Sequence, residues 1–185
     1  PRQRLIGEAE FGPVQTPEGG VVRAGATMAF PTAHWVVGHC NPREIAFLGC
    51  DMSYPKSSKT HFYGTGTADP LREDITLISL EAKAARLYAL ALAQGCEITN
   101  LSQETSRLIA PRRSLLEPRP EPFEIDKVQK ARALAREQEL AYYVASGRYW
   151  EELERFDIEQ IKRLDALWSN VVIAPKEAAA LMRGY

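Results

Sequence analysis

The residues best equipped for chemistry lie in two short blocks, Leu48-Gly49-Cys50-Asp51-Met52-Ser53-Tyr54 and Thr60-His61-Phe62-Tyr63-Gly64. Asp51 offers a carboxylate and Ser53 a hydroxyl, while Tyr54 and Tyr63 offer phenols that donate to phosphate oxygens without adding charge. His61 is suited to taking a proton from an acceptor hydroxyl near neutral pH. Gly49 lets backbone approach a ligand closely. Each residue also has a plainer reading: Asp51 as a turn-former, the tyrosines as packing residues with a wet tip, His61 as an ordinary loop histidine. What favours a ligand site is the number of polar groups gathered after one apolar run.

Two further sets are weaker. Gly25, Ala26 and Thr27 precede an apolar segment, and small residues at a helix N-terminus expose amide donors to an anion; many helices start this way. Asn100 and Ser102 follow a second short apolar run and would share an edge with Asp51, although Ser102 serves equally well as the N-cap of a short helix. Arg107, Arg112 and Arg113 come next and suit a phosphate or a carboxylate, with plain solvent exposure as the alternative. His34 and His39 are five residues apart, do not share a helix face, and are not read as a metal pair.

The elements that must position these groups follow from hydrophobic spacing. Residues 44–49 are short, apolar and end at Gly49, which suits a buried parallel strand. Residues 51–74 form a polar loop longer than most connections in compact domains. Residues 75–94 are expected to be one helix, with Leu77, Leu80, Ala84, Leu87 and Ala91 at spacings of three and four and Gly95 as the stop. Residues 96–101 read as the next strand, giving a parallel strand–helix–strand unit. Upstream, residues 1–20 are rich in turns, and the later part of 26–40 reads as a buried helix with Pro31 in its first turn. Downstream, Pro111, Pro118, Pro120 and Pro122 mark an extended linker. Residues 124–146 are strongly helical up to Gly147, 157–168 are amphipathic with Asp157 as cap, and 175–182 form a short terminal helix. The expected organisation is an α/β domain over 1–112, a Pro-rich linker over 113–123 and a helical extension over 124–185.

At 185 residues and 45% hydrophobic, the chain can bury a sizeable core. A net charge of −1 argues against a general nucleic-acid binder. No apolar run approaches the roughly 18–20 residues needed to cross a bilayer, and no basic start followed by an apolar stretch marks a signal peptide. Cys40, Cys50 and Cys96 lack CxxC spacing and are read as buried free thiols in a reducing cytoplasm, with a catalytic or zinc-binding cysteine as the lesser alternative.

Taken in order, residues 22–112 resemble the back half of the bacterial sialyltransferases and their relatives, which include uncharacterised proteins and an archaeal pterin diphosphokinase-like group. The resemblance is carried by a glycine turn, a helix, Phe-Leu-Gly-Cys-Asp-Met-Ser-Tyr at 47–54, Thr-His-Phe-Tyr-Gly at 60–64, a second helix, and Ile-Thr-Asn-Leu-Ser-Gln-Glu-Thr-Ser-Arg-Leu at 98–108. It implies a Rossmann-like parallel sheet, partial here, and a metal-independent glycosyltransferase. The donor would be a CMP-type nucleotide sugar, the acceptor a glycan hydroxyl, with no cofactor. Gly25 and the loop after Gly49 would lie near the nucleotide phosphates, with Asp51, Ser53 and Tyr54 in the site. His61 would be the base, Thr65 being the alternative alignment. Nothing in residues 1–20 matches the family's nucleotide-binding turn, so the chain is read as the carboxyl-terminal part of a longer protein or a relative that has lost donor binding.

Two other functions compete. A magnesium-dependent diphosphokinase-type transferase would hold the metal through Asp51 with Asp69 or Asp74. A non-catalytic Rossmann-like module, phage- or envelope-associated, would bind a partner or a second copy through the helical extension. The expected location is cytoplasmic, with peripheral association at the inner membrane face as a variant.

Overall fold

The structure is a computed structural model that describes residues 21–25, 27–53, 74–144 and 149–174. Its centre is a parallel strand–helix–strand unit. Strand β1, Glu44–Phe47, pairs in parallel with β2, Glu97–Asn100, in the register Glu44↔Glu97 to Phe47↔Asn100. Before β1 come a single turn of helix, α1 (Val21–Ala24), and the longer α2 (Ala29–Cys40), which holds Pro31 in its first turn, where a missing N–H costs nothing. Helix α3, Leu80–Ala93, crosses between the strands. A third stretch of chain runs alongside β2: Asn100 N donates to Pro111 O at 2.8 Å and Arg113 N to Asn100 O at 3.2 Å. The Pro-rich stretch therefore begins as a neighbour of the sheet. Pro111 supplies only an acceptor there, which is all a proline can offer a ladder.

The single helix expected over 75–94 is two elements. Asp74 and Ser79 both sit in extended backbone and both cap: Asp74 Oδ1 accepts from Thr76 N at 2.8 Å ahead of a 3₁₀ turn (Ile75–Leu77), and Ser79 Oγ accepts from Ala82 N at 3.2 Å ahead of α3. Two N-caps five residues apart cannot lie inside one continuous helix. The stop is as expected. Gly95 has φ +77°, Gly95 N donates to Leu92 O and Cys96 N to Ala91 O, a Schellman closure that a left-handed glycine permits.

Helix α3 is buried on every side through residues 82–91. Its alanines let neighbours approach closely. Leu80, Ala84, Leu87, Tyr88 and Ala91 pack with Phe30, Val37, Phe47 and Ile98 under the sheet. Ala82, Ala89 and Leu90 pack the opposite way against Ala133, Leu164, Trp168 and Val171. Those partners come from α4 (Lys127–Leu140) and α5 (Ile158–Ser169), capped by Asp126 and Asp157 respectively. A two-stranded antiparallel ribbon, β3 (Glu124–Ile125) with β4 (Val172–Ile173), closes the base of this pair. The long helix expected over 124–146 is thus shorter at both ends: a strand precedes it, and Ala141, at φ 49°, turns the chain out after Leu140. The 175–182 helix and Gly147 lie outside the described residues.

Two cations of α3 point into the core. Arg86 meets Glu137 of α4 in a double hydrogen bond of 2.6 and 3.0 Å, and Trp168 Nε1 donates to the same carboxylate at 2.7 Å. Lys83 Nζ meets Asp165 of α5 at 2.8 Å. Arg23 Nη2 donates to Glu137 O at 2.8 Å, which brings α1 into the cluster. His34 of α2 is also buried, and burial followed by the charge of Arg86 holds its pKa well below the usual histidine range.

The cysteines differ from one another. Cys96 is buried, Cys50 is half-buried and Cys40 is exposed, so the reading of all three as buried fails at the solvent end of α2. Burial, then Glu97 and Glu44, push the Cys96 thiol up to about 11. Iodoacetamide at neutral pH should therefore label Cys40 first and Cys96 only on unfolding; mass mapping that finds Cys96 modified as fast as Cys40 in the folded protein would contradict this placement. No helix among the described residues is long and apolar enough to cross a membrane.

Candidate functional site

The carboxyl ends of β1 and β2 are stitched together by polar groups. After β1 the chain turns through Gly49, at φ +69° with open space where a side chain would be, and through Met52, at φ 55°. A left-handed methionine costs roughly 1–2 kcal/mol, offset here because Met52 enters the main core. That turn leaves Asp51 and Ser53 on either side of a buried anchor.

The segment 101–107 clamps this turn from the β2 side. Leu101 N donates to Phe47 O at 2.7 Å and Arg107 N to Asp51 O at 2.8 Å. Gly49 N donates to Ser102 Oγ at 2.9 Å, and Ser53 Oγ donates to Thr105 O at 3.2 Å. Ser102 therefore caps no helix; its hydroxyl receives the amide that follows β1. Asn100 Oδ1 accepts from Ser102 N at 2.9 Å, a local turn that fixes the amide's orientation.

The three arginines expected at a phosphate or carboxylate are all engaged within the chain. Arg107 grips Glu81, in the first turn of α3, through bonds of 2.6 and 2.8 Å. Burial raises the Glu81 pKa, but the Arg107 hydrogen bond leads the causes that leave it below the usual carboxylate range. Arg112 Nη1 donates to the backbone oxygens of Ser102 and Glu104, and Arg113 Nη2 to Glu44 at 2.9 Å. Glu44 also accepts from Thr99 Oγ1 at 2.7 Å, on the sheet face opposite the core.

Of the residues singled out by chemistry, Gly49, Asp51, Ser53, Asn100 and Ser102 meet at these strand ends. Tyr54, His61, Tyr63, Thr65, Asp69 and Ala26 lie outside the described residues. Gly25 is buried, and the atoms nearest a Cβ built there are Lys83 Cγ at 3.0 Å and Cβ at 3.3 Å, then a ring carbon of Phe30 at 3.4 Å. It serves close packing of α1 and α2 on α3. Thr27 Oγ1 is buried without a hydrogen-bond partner among the described residues, and α2 has no side-chain cap. Gly25→Ala should cost about 1–3 kcal/mol, from positive φ (+89°) and the Lys83 contact together; a chemical melt superimposed on the wild type's would refute that packing role.

Asp74, one of the carboxylates considered for magnesium, has both oxygens in use. Thr76 N and Oγ1 donate to Oδ1, and Tyr149 OH donates to Oδ2 at 2.5 Å. Sequence reasoning missed the Arg107–Glu81 clamp and the buried pairs of α3. The only trace of the latter was two cations, Lys83 and Arg86, three apart in a helix that after Glu81 is otherwise alanine and leucine with one tyrosine.

What these features define is a mixed α/β protein with a small parallel sheet and a polar cluster at its carboxyl edge. No model of a known protein family, no curated protein and no solved structure matches the chain.

Proposed function

We propose that this chain is a glycosyltransferase-like protein on a Rossmann-like scaffold. It would pass a sugar from a CMP-type nucleotide donor to a glycan hydroxyl, without metal, in the cytoplasm. One observation carries the reading: Gly49, Asp51, Ser53, Asn100 and Ser102 converge where parallel strands end, and Asp51 Oδ1 and Asn100 Nδ2 are buried there without partners among the described residues. Ligands of open α/β sheets bind beyond the carboxyl ends of the strands. The nucleotide-sugar part rests on the resemblance of residues 22–112 to the sialyltransferase group. In this mechanism Tyr54 and Tyr63 stabilise the leaving phosphate, the largest contribution to rate, and His61 deprotonates the acceptor. The diphosphokinase reading is weakened by the engagement of both Asp74 oxygens.

A melting scan with CMP or a CMP-sugar, in chelator and without metal, tests the reading. At about a hundred times Kd the ligand adds about 2.7 kcal/mol, which for a chain of this size raises Tm by roughly 5–10 °C. Protection by ATP only when magnesium is present would move the assignment to the diphosphokinase class. No protection by either nucleotide would overturn both.

A further inference from the structure

We infer that the chain docks on a second copy of itself through the outer face of the β1–β2 sheet, two leucines of the 114–117 turn in each copy covering bare apolar residues of β1 in the other. Parallel sheets are almost always covered on both faces. Here the inner face is covered: Ile45, Phe47 and Ile98 turn toward α2 and α3 in the main core. By the alternation of a strand, Glu44, Ala46 and the next such residue, Leu48, turn the other way. Ala46 is exposed and Leu48 is 71% exposed.

The same face carries a protrusion. Glu117 N donates to Ser114 O at 3.2 Å and Ser114 N to Glu117 Oε2 at 2.6 Å, closing a turn whose central residues are Leu115 and Leu116. Turns favour Gly, Pro, Asn, Asp and Ser, yet these leucines stand 73% and 96% exposed. The turn is braced from beneath. Arg113 Nη1 donates to the backbone oxygens of Ser114, Leu115 and Glu117 at 3.2, 3.1 and 3.3 Å, and Nη2 of the same guanidinium donates to Glu44 at 2.9 Å. One side chain thus ties the leucine turn to the amino end of the outer face. Leu48 lies four residues further on, roughly 13 Å along the strand. A twofold axis through Ala46 brings the turn of each copy onto Leu48 of the other, one patch serving both sides as a closed dimer requires. Charge favours this occupant. Arg113 and Arg119 are paired with Glu44 and Glu97, so the face does not repel its own copy and neither arginine is spare for an anionic lipid headgroup. The inference does not rest on the nucleotide-sugar reading.

Sedimentation equilibrium of the full chain tests it, on the wild type, Leu116→Lys, Leu48→Glu and the double variant. The wild type should dimerise at micromolar concentration. Each single change should weaken the dimer by about a hundredfold or more, because a leucine lost from a twofold interface is lost twice. The double variant should regain about tenfold in low salt, where the new ammonium of one copy meets the new carboxylate of the other, and should forfeit the gain in high salt. Both positions are exposed, so far-UV circular dichroism should be the same for all four proteins. A wild type that stays monomeric at millimolar concentration overturns the inference, as does a dimer that neither single change weakens. A double variant no tighter than the singles overturns the contact between Leu116 and Leu48. Flotation of a monomeric wild type with phosphatidylcholine vesicles, lost in Leu116→Lys, makes the face a membrane contact and overturns the dimer.

Discussion

Glu137→Ala should cost about 3–5 kcal/mol, the range for removing one partner of a buried ion pair. Arg86 and Glu137 are 1% and 0% exposed, and the carboxylate takes two bonds from Arg86 and one from the Trp168 indole. Deleting it takes three hydrogen bonds from buried donors, two of Arg86 and the indole N–H of Trp168, whose ring lies 5.7 Å from the guanidinium. Native domains are stable by only about 5–15 kcal/mol, so much of the margin would go. Glu137→Gln should cost less, because an amide oxygen can still accept from Trp168. The double change Arg86→Met with Glu137→Leu should recover most of the loss, since apolar residues of similar volume often replace a buried pair without penalty. Urea melts of the four proteins are the measurement. A single-variant loss below about 1 kcal/mol, the level of a surface pair, would mean that the contact contributes little.

His61→Ala should lower turnover by about two to four orders of magnitude, the usual contribution of a positioned general base, while leaving donor binding nearly intact. The prediction belongs to the glycosyltransferase reading and tests the assignment of the base. His61 falls in a polar stretch whose flanks are both tied down: Ser53 bonds to Thr105 at one end, and Asp74 to Thr76 and Tyr149 at the other. Thr65→Ala is the matched comparison, because in the alternative alignment with the sialyltransferases that residues 22–112 resemble, Thr65 stands where their base would be and the chain has none. Unchanged turnover in His61→Ala, with a defect in Thr65→Ala, would retire the histidine. Raising the pH should partly rescue His61→Ala if the lost function is proton removal, and should not if the histidine only shaped the loop.

The strand–helix–strand unit was legible because each part carries a local signal. Ile45-Ala46-Phe47 is bounded by Asn41-Pro42 and Gly49, and Gly95 closes α3 at its expected place. Polar residues directly after each strand then had to share an edge, which is why Asp51, Ser53, Asn100 and Ser102 could be grouped without coordinates. What was not legible depends on partners far away in sequence. The split at Ser79 was hidden because Ile75 and Leu77 continue the apolar rhythm of a helix, and only competition between two caps interrupts it. Lys83 and Arg86 look like solvent-facing residues until Asp165 and Glu137 arrive from 82 and 51 positions away. The Pro-rich stretch looked like a spacer because prolines hide its use as a sheet neighbour at Arg112 and as the donor of Phe123 N to Tyr88 OH at 2.7 Å.

Helix α3 belongs to both ends of the chain at once. One of its sides completes the core beneath the sheet, and the other carries cations whose countercharges sit on α4 and α5. A cut within the prolines would divide the polypeptide without dividing the cooperative unit. The amino-terminal piece would keep Lys83 and Arg86, and the carboxyl-terminal piece the two acids that pair with them, Asp165 and Glu137. Such pieces should behave as complementing fragments, each acquiring its structure from the other.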